Sequence, residues 1–140
     1  MGTSLSPERD PKAVLELLSG IDLALWVWDP AEGRMAYASP ACEDLWGVSP
    51  AELAADGRAW LAKVHPEDRE LAAAGLKGKE LRDDEYRVNP PGGGERWVRG
   101  RSFPVRDAKG KTVRVAGMAE DVTQRRQLAD ALKQREAELL

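Results

Sequence analysis

His65 is the only histidine and Cys42 the only cysteine in the 140 residues, so the side chains best suited to acid–base, nucleophilic or metal chemistry occur once each. A catalytic histidine pair or a site with several imidazole ligands therefore has a single member to draw on. His65 stands directly before Pro66-Glu67-Asp68, where an imidazole can cap the free N–H groups of a helix start. Cys42, within Pro40-Ala41-Cys42-Glu43, cannot form an internal disulfide and reads as a small buried hydrophobe. The carboxylates Glu67 and Asp68 suit the positive end of a helix, and Asp83-Asp84-Glu85 alternate along a predicted strand with a wet side. No Ser/His/Asp order, no Cys/His metal spacing and no phosphate loop is present. The triplet Gly92-Gly93-Gly94 follows two prolines and precedes a strand, so it is a loop and not an anion cradle. No catalytic residue and no metal ligand is assigned, and the chain is not expected to be an enzyme.

Aromatic chemistry is the stronger signal. Five tryptophans, Trp26, Trp28, Trp46, Trp60 and Trp97, stand against one phenylalanine and two tyrosines. Indoles can stack on a flavin or another small aromatic ligand, or they can simply fill a core. Trp28, Trp46, Trp60, Tyr86, Trp97 and Gly117 form the candidate pocket. Gly117 enters it because one face of its strand, Val113, Val115, Gly117 and Ala119, shrinks toward the end and would leave room in the core.

The elements that would position these residues are punctuated by Pro and Gly. Residues 7–18 predict an amphipathic helix with Val14, Leu15, Leu17 and Leu18 apolar and Gly20 as its stop. The run from Leu23 to Trp28 is apolar at every position and predicts a strand covered on both faces, one by the core and one by the preceding helix. Asp29-Pro30-Ala31-Glu32-Gly33 predicts a turn into a second strand at 34–38. Ser39-Pro40 predicts an N-cap and first helical position for a short helix ending at Gly47, and Ser49-Pro50-Ala51-Glu52 repeats the signal. A helical turn surrounds Trp60, and Pro66 opens a longer helix carrying Leu71, Ala72, Gly75 and Leu76. Strands are predicted at 81–88, 95–105 and 112–122, joined by hairpin-type connections, which argues for an antiparallel sheet. Thr123 is the predicted cap of a terminal helix whose Leu128, Leu132 and Leu139 form a short coiled-coil-like seam interrupted by arginine.

Composition bounds the rest. A 42% hydrophobic chain of this length suits one core, and a net charge of −3 with scattered Lys and Arg gives no footprint for nucleic acid or an acidic membrane. No run approaches a bilayer span, so a cytoplasmic location is expected. The helical pattern running to Leu140 reads as an excised domain of a longer chain.

Two strands, short helices, one longer helix, three antiparallel strands and an exit helix resemble the PAS fold, in the PAS/PAC subtype of bacterial histidine kinases and diguanylate cyclases. The resemblance rests on Trp26-Val27-Trp28-Asp29, Ser39-Pro40 with Leu45-Trp46-Gly47, Val64-His65-Pro66-Glu67-Asp68, Glu85-Tyr86-Arg87, Arg96-Trp97-Val98, and Gly117 leading to Asp121-Val122-Thr123. The last triplet is similar to the family's Asp-Ile-Thr junction, with Val122 in place of isoleucine. The resemblance implies an α+β fold: a five-stranded antiparallel sheet with short helices on one face, an N-terminal cap helix and a C-terminal signalling helix. It implies a cap at 1–20, a sensor domain at 21–123 and a linker helix at 124–140. It further implies a signal junction at Asp121, Val122 and Thr123, and a homodimer using Val14, Leu17, Leu18, Leu128, Leu132 and Leu139. A downstream kinase or cyclase effector would receive the signal, and a ligand-free interaction module is the alternative. The flavin-reactive cysteine motif of the light-sensing subclass is absent, and the histidine position disfavours haem. No cofactor is expected, with a flavin or small aromatic ligand as the alternative.

Overall fold

The alternation of burial along β1 (Ala24–Asp29) fixes which side of the sheet holds the core. Ala24, Trp26 and Trp28 are buried, while Leu25 and Val27 on the other face are only partly covered. The apolar run predicted cover on both faces. Among the described residues only one face is closed, because every short helix packs on the Trp26 side. The computed structural model describes residues 23–90 and 92–139. The predicted cap helix at 7–18, with Val14, Leu17 and Leu18, lies outside them.

β2 (Arg34–Ala38) returns beside β1, and β3 (Arg82–Val88), β4 (Arg96–Arg106) and β5 (Thr112–Asp121) complete a five-stranded sheet in the order β2-β1-β5-β4-β3. Every neighbouring pair is antiparallel. The chain-terminal strands β1 and β5 are thus central partners, with Trp26 opposite Gly117. The hairpin between β4 and β5 is held by Asp107, whose carboxylate accepts from the N–H groups of Lys109 at 2.9 Å and Lys111 at 3.0 Å. This is the short polar side chain satisfying a turn that the sequence predicts.

Four short helical segments cover the inner face: α1 (Ala41–Trp46), α2 (Pro50–Ala55), a 3-10 helix at Ala59–Lys63 and a second at Pro66–Asp68 that runs into α3 (Arg69–Ala74). α1 ends on Gly47 with φ of 74°, a left-handed conformation that a side chain would strain. α2 begins as predicted: Ser49 and Glu52 form a reciprocal capping box with Pro50 at the first helical position. Ser39 departs from its prediction. It caps no helix; it is fully buried, and its hydroxyl accepts from the Leu25 N–H at 2.8 Å, tying the α1 entry to β1. The predicted long helix from Pro66 is instead a 3-10 turn followed by the six-residue α3. Gly75 and the glycine at 78 shorten it.

Trp46, Leu53, Val64, Val88, Val98 and Val115 are almost completely excluded from solvent and form the centre of the core. Burying a side chain of this kind contributes roughly 1.5–3 kcal/mol, so this set supplies much of the favourable side of folding. α4 (Thr123–Leu139) then leaves the sheet, exposed along nearly its whole length.

Candidate functional site

The end of β5 and the first turn of α4 are stitched to β4 by a compact set of bonds. Val122 donates its N–H to the Trp97 carbonyl at 2.8 Å, and the Trp97 N–H donates to Thr123 Oγ1 at the same distance. Asp121 Oδ1 accepts the Thr123 N–H at 2.9 Å, and Arg126 N–H donates to the Val122 carbonyl at 2.9 Å. Thr123 was the predicted helix cap. The capping acceptor is Asp121, and Thr123 is spent as the bridge to β4. Its hydroxyl takes the Trp97 N–H because Trp97 lies one residue past the last β4–β5 pair, Val98 with Asp121. Val122 and Thr123 are buried, at 4% and 8% exposure, so these bonds sit away from competing water. Asp121 also pairs with Arg96 at 3.3 Å across the surface.

The Trp97 ring lies on the outer face of the sheet, under the Arg126 guanidinium at 3.5 Å from its centroid, with Arg87 at 5.6 Å. Such stacking of a cation on an indole is attractive through the ring quadrupole. Trp97 therefore belongs to the junction and not to the candidate pocket. Arg126 also donates to Glu85 at 2.9 Å. Arg87 is held by Asp68, whose Oδ2 accepts from the Arg87 backbone at 2.9 Å and side chain at 2.8 Å. The Arg87 guanidinium beside Asp68 holds that carboxyl down at about 2, well below the usual range. Asp83 is lowered for the same reason, by Arg99 on the neighbouring strand.

Inside the sheet, Trp46 and Trp60 stack with centroids 5.0 Å apart, and Trp60 meets Tyr86 at 6.1 Å. These three pocket candidates do come together. Trp28 lies apart from them, beneath Arg58 at 5.4 Å and against Gly57. The room expected beside Gly117 is filled by the Trp26 ring, which occupies the space a Cβ on Gly117 would need. The cavity that remains, lined by Trp26, Trp60, Tyr86 and Ser102 among others, is about 20 Å³. That is room for about one water, whereas organic ligands occupy sites of roughly 300–1,000 Å³. The indole N–H groups of Trp46 and Trp60 are buried without an acceptor, so a small acceptor could be accommodated. An isoalloxazine or a porphyrin does not fit unless these rings move.

The remaining chemistry-bearing residues are structural. His65 Nδ1 accepts the Glu67 N–H at 3.1 Å, capping the 3-10 turn and leaving the core cavity without an imidazole. Burial pushes the Cys42 thiol up to about 11, so it is not a ready nucleophile at neutral pH. Leu128, Leu132 and Leu139 are exposed on α4. Sequence reasoning gave no site role to Trp26, Arg87 or Arg126. An arginine three residues beyond Thr123 was visible, but its partner Trp97 lies 29 positions back, and only the β4–β5 register brings the two together.

A family profile described as "PAS fold" matches residues 35–119. A sensory box histidine kinase/response regulator of Burkholderia thailandensis has a solved structure that is 31% identical, with a TM-score of 0.66, over 91% of this chain and 98% of that one. A domain of a histidine kinase from Haloarcula marismortui is 35% identical with a TM-score of 0.63, over 80% of this chain and 99% of that one. An uncharacterized protein of Sinorhizobium fredii, y4lL, is 35% identical over 117 residues, which cover 80% of this chain. The chain spans 14% of the length of that relative.

Proposed function

The chain belongs to the PAS fold family, and from that premise we propose that it is a sensor module that passes a ligand- or partner-induced change to an effector through Asp121-Val122-Thr123 and α4. The observation that carries this reading is the junction itself: among the described residues, a solvent-exposed helix is fixed to the sheet through its first turn. A bias applied at that turn would be delivered along the whole helix. The architecture is that of a non-catalytic sensor, and among the described residues no group of three or more His, Cys, Asp or Glu side chains is placed to hold a metal. A histidine-kinase effector is favoured by the two histidine-kinase relatives, with a cyclase as the alternative. No described helix is long and apolar enough to cross a membrane.

The filled core favours an input that acts by contact or by a very small ligand over a resident cofactor. Dimerisation along the exposed Leu128, Leu132 and Leu139, with Val14, Leu17 and Leu18 adding a second seam, would carry the change between subunits. The test is a fusion of residues 1–140 to a histidine-kinase catalytic core, with autophosphorylation as the readout. Asp121→Ala and Thr123→Ala are expected to alter the output of the fusion. Unaltered output from variants that remain folded by circular dichroism would remove the junction from the signalling route.

A second reading has its own observation. Among the described residues, the outer face presents an apolar groove of about 260 Å³ lined by Leu25, Val27, Tyr37, Phe103, Ala116 and Met118. An apolar surface of this kind suits a protein contact, as a ligand-free interaction module would require. Met118→Glu should then abolish association while leaving the output of a monomeric fusion unchanged. Retained association in that variant would remove the second reading.

A further inference from the structure

We infer that Glu85-Tyr86-Arg87 on β3 couples the core to α4 by a route separate from Asp121-Val122-Thr123; the inference rests on the sensor reading above and names how its output is regulated. Strand geometry sends successive side chains to opposite faces. Tyr86 points inward, 5% exposed, against Trp60 and the small core cavity, and its ring lies on Gly100 of β4. Its two neighbours point outward. Glu85 accepts from Arg126 in the first turn of α4 at 2.9 Å, and Arg126 lies over the Trp97 ring at 3.5 Å. Arg87 binds Asp68 at 2.8 Å, immediately before α3, whose Leu71 and Ala72 line the same cavity as Tyr86.

A change in the core thus meets the strand at Tyr86 and again through α3 and Asp68. Residues 85, 86 and 87 are held in register against Arg99, Val98 and Trp97 of β4, so a displacement of Tyr86 is shared by both neighbours. On the far face those neighbours meet Arg126 and Trp97. Glu85 and Arg126 retain 45% and 40% side-chain exposure, so their ion pair is solvated and weak. That pair and the ring contact each bias docking of the first turn by about two- to fivefold, and together by about tenfold. A latch of this strength holds the docked state yet can be tipped by a modest change in the core. Arg126 and Glu85 are positioning residues for α4.

The test uses the full 140-residue chain and the ¹H–¹⁵N NMR spectrum, in which the Trp97 indole signal is assigned by Trp97→Phe. Arg126→Gln should speed amide exchange at residues 124–127 about tenfold, and Arg126→Lys, which keeps charge but loses the planar stack, should fall between. Tyr86→Phe perturbs the core; where that variant does not fold, Leu71→Ala, at the edge of the same cavity, replaces it as the perturbation. The perturbation should shift the amides of residues 124–127 in the otherwise native chain and leave them in place once Arg126 is glutamine. Equal shifts in both backgrounds would assign the coupling to the Asp121–Thr123 junction and overturn the inference, as would no shift in either. Because this readout needs no effector, it stands or falls independently of the kinase fusion.

Discussion

Thr123 Oγ1 accepts the backbone N–H of Trp97 at 2.8 Å, so the first residue of the exit helix is bonded to a strand 26 positions earlier. The neighbouring Val122 N–H returns a bond to the Trp97 carbonyl at 2.8 Å. Both polar groups of the Trp97 backbone are therefore satisfied by the junction, as residues at the end of a ladder require. The helix cannot swing away without leaving them unpaired.

The two polar members of the junction should fail differently. Thr123→Val keeps shape but removes the acceptor for a partly buried N–H, and is expected to lower stability by about 1–3 kcal/mol. Asp121→Asn retains a capping oxygen and loses the exposed Arg96 pair, so its cost should stay under about 1 kcal/mol. Urea denaturation followed by tryptophan fluorescence measures both. Equal losses would show that the surface ion pair, and not the bridge to β4, holds the junction.

Gly117 is expected to tolerate no side chain. A methyl group there would enter the Trp26 ring, which is buried on the helix-covered face of the sheet. Gly117→Ala should cost about 1–3 kcal/mol or more through overpacking, whereas Gly75→Ala, whose nearest neighbour would lie at 3.3 Å, should cost less. A Gly117→Ala variant with an unchanged denaturation midpoint would place Trp26 elsewhere.

The Asp68–Arg87 pair makes stability depend on acid in a defined window. The hydrogen bonds from Arg87 hold Asp68 at about 2 in the folded chain, below its value of 3.8 when unperturbed. Its contribution is complete above the unfolded value and disappears as pH falls through the folded one. Solvent reaches part of the site, so Asp68→Asn should cost about 1–2 kcal/mol at pH 7, with the difference from wild type fading between about pH 4 and pH 2. Unfolding titrations across that range would reveal a constant gap if the carboxylate charge were irrelevant.

The α4 seam makes a prediction about assembly. Leu128 and Leu132 are 62% and 64% exposed, yet they stand at a spacing that lines one face of the helix. Replacing both by Asp should convert a dimer to a monomer in light scattering while leaving the sheet intact. An unchanged mass would reject this seam as the contact.

The strands were readable because turn residues bracket them: Arg34–Ala38 forms as expected, and the three later strands shift by no more than a residue at each end. Ser49 with Glu52 was equally plain, since a capping box is local. What escaped depends on side chains distant in sequence. Ser39-Pro40 carries the same local signal as Ser49-Pro50, but the β1 backbone offers Ser39 a buried donor and wins it from the helix. A shrinking set of side chains on β5 implied empty space, and only the β1–β5 register reveals that Trp26 fills it. Trp97 looked like a core residue by type, yet strand alternation puts it on the outer face, where two arginines meet it.

The central claim, that α4 is held to the sheet through its first turn and is otherwise free to act as a lever, is tested most directly by residue-resolved hydrogen exchange of wild type and Thr123→Ala. Faster exchange at residues 122–127, with β1, β4 and β5 keeping their protection, is the predicted result. Protection lost evenly through the sheet, or unchanged at the helix start, would contradict it.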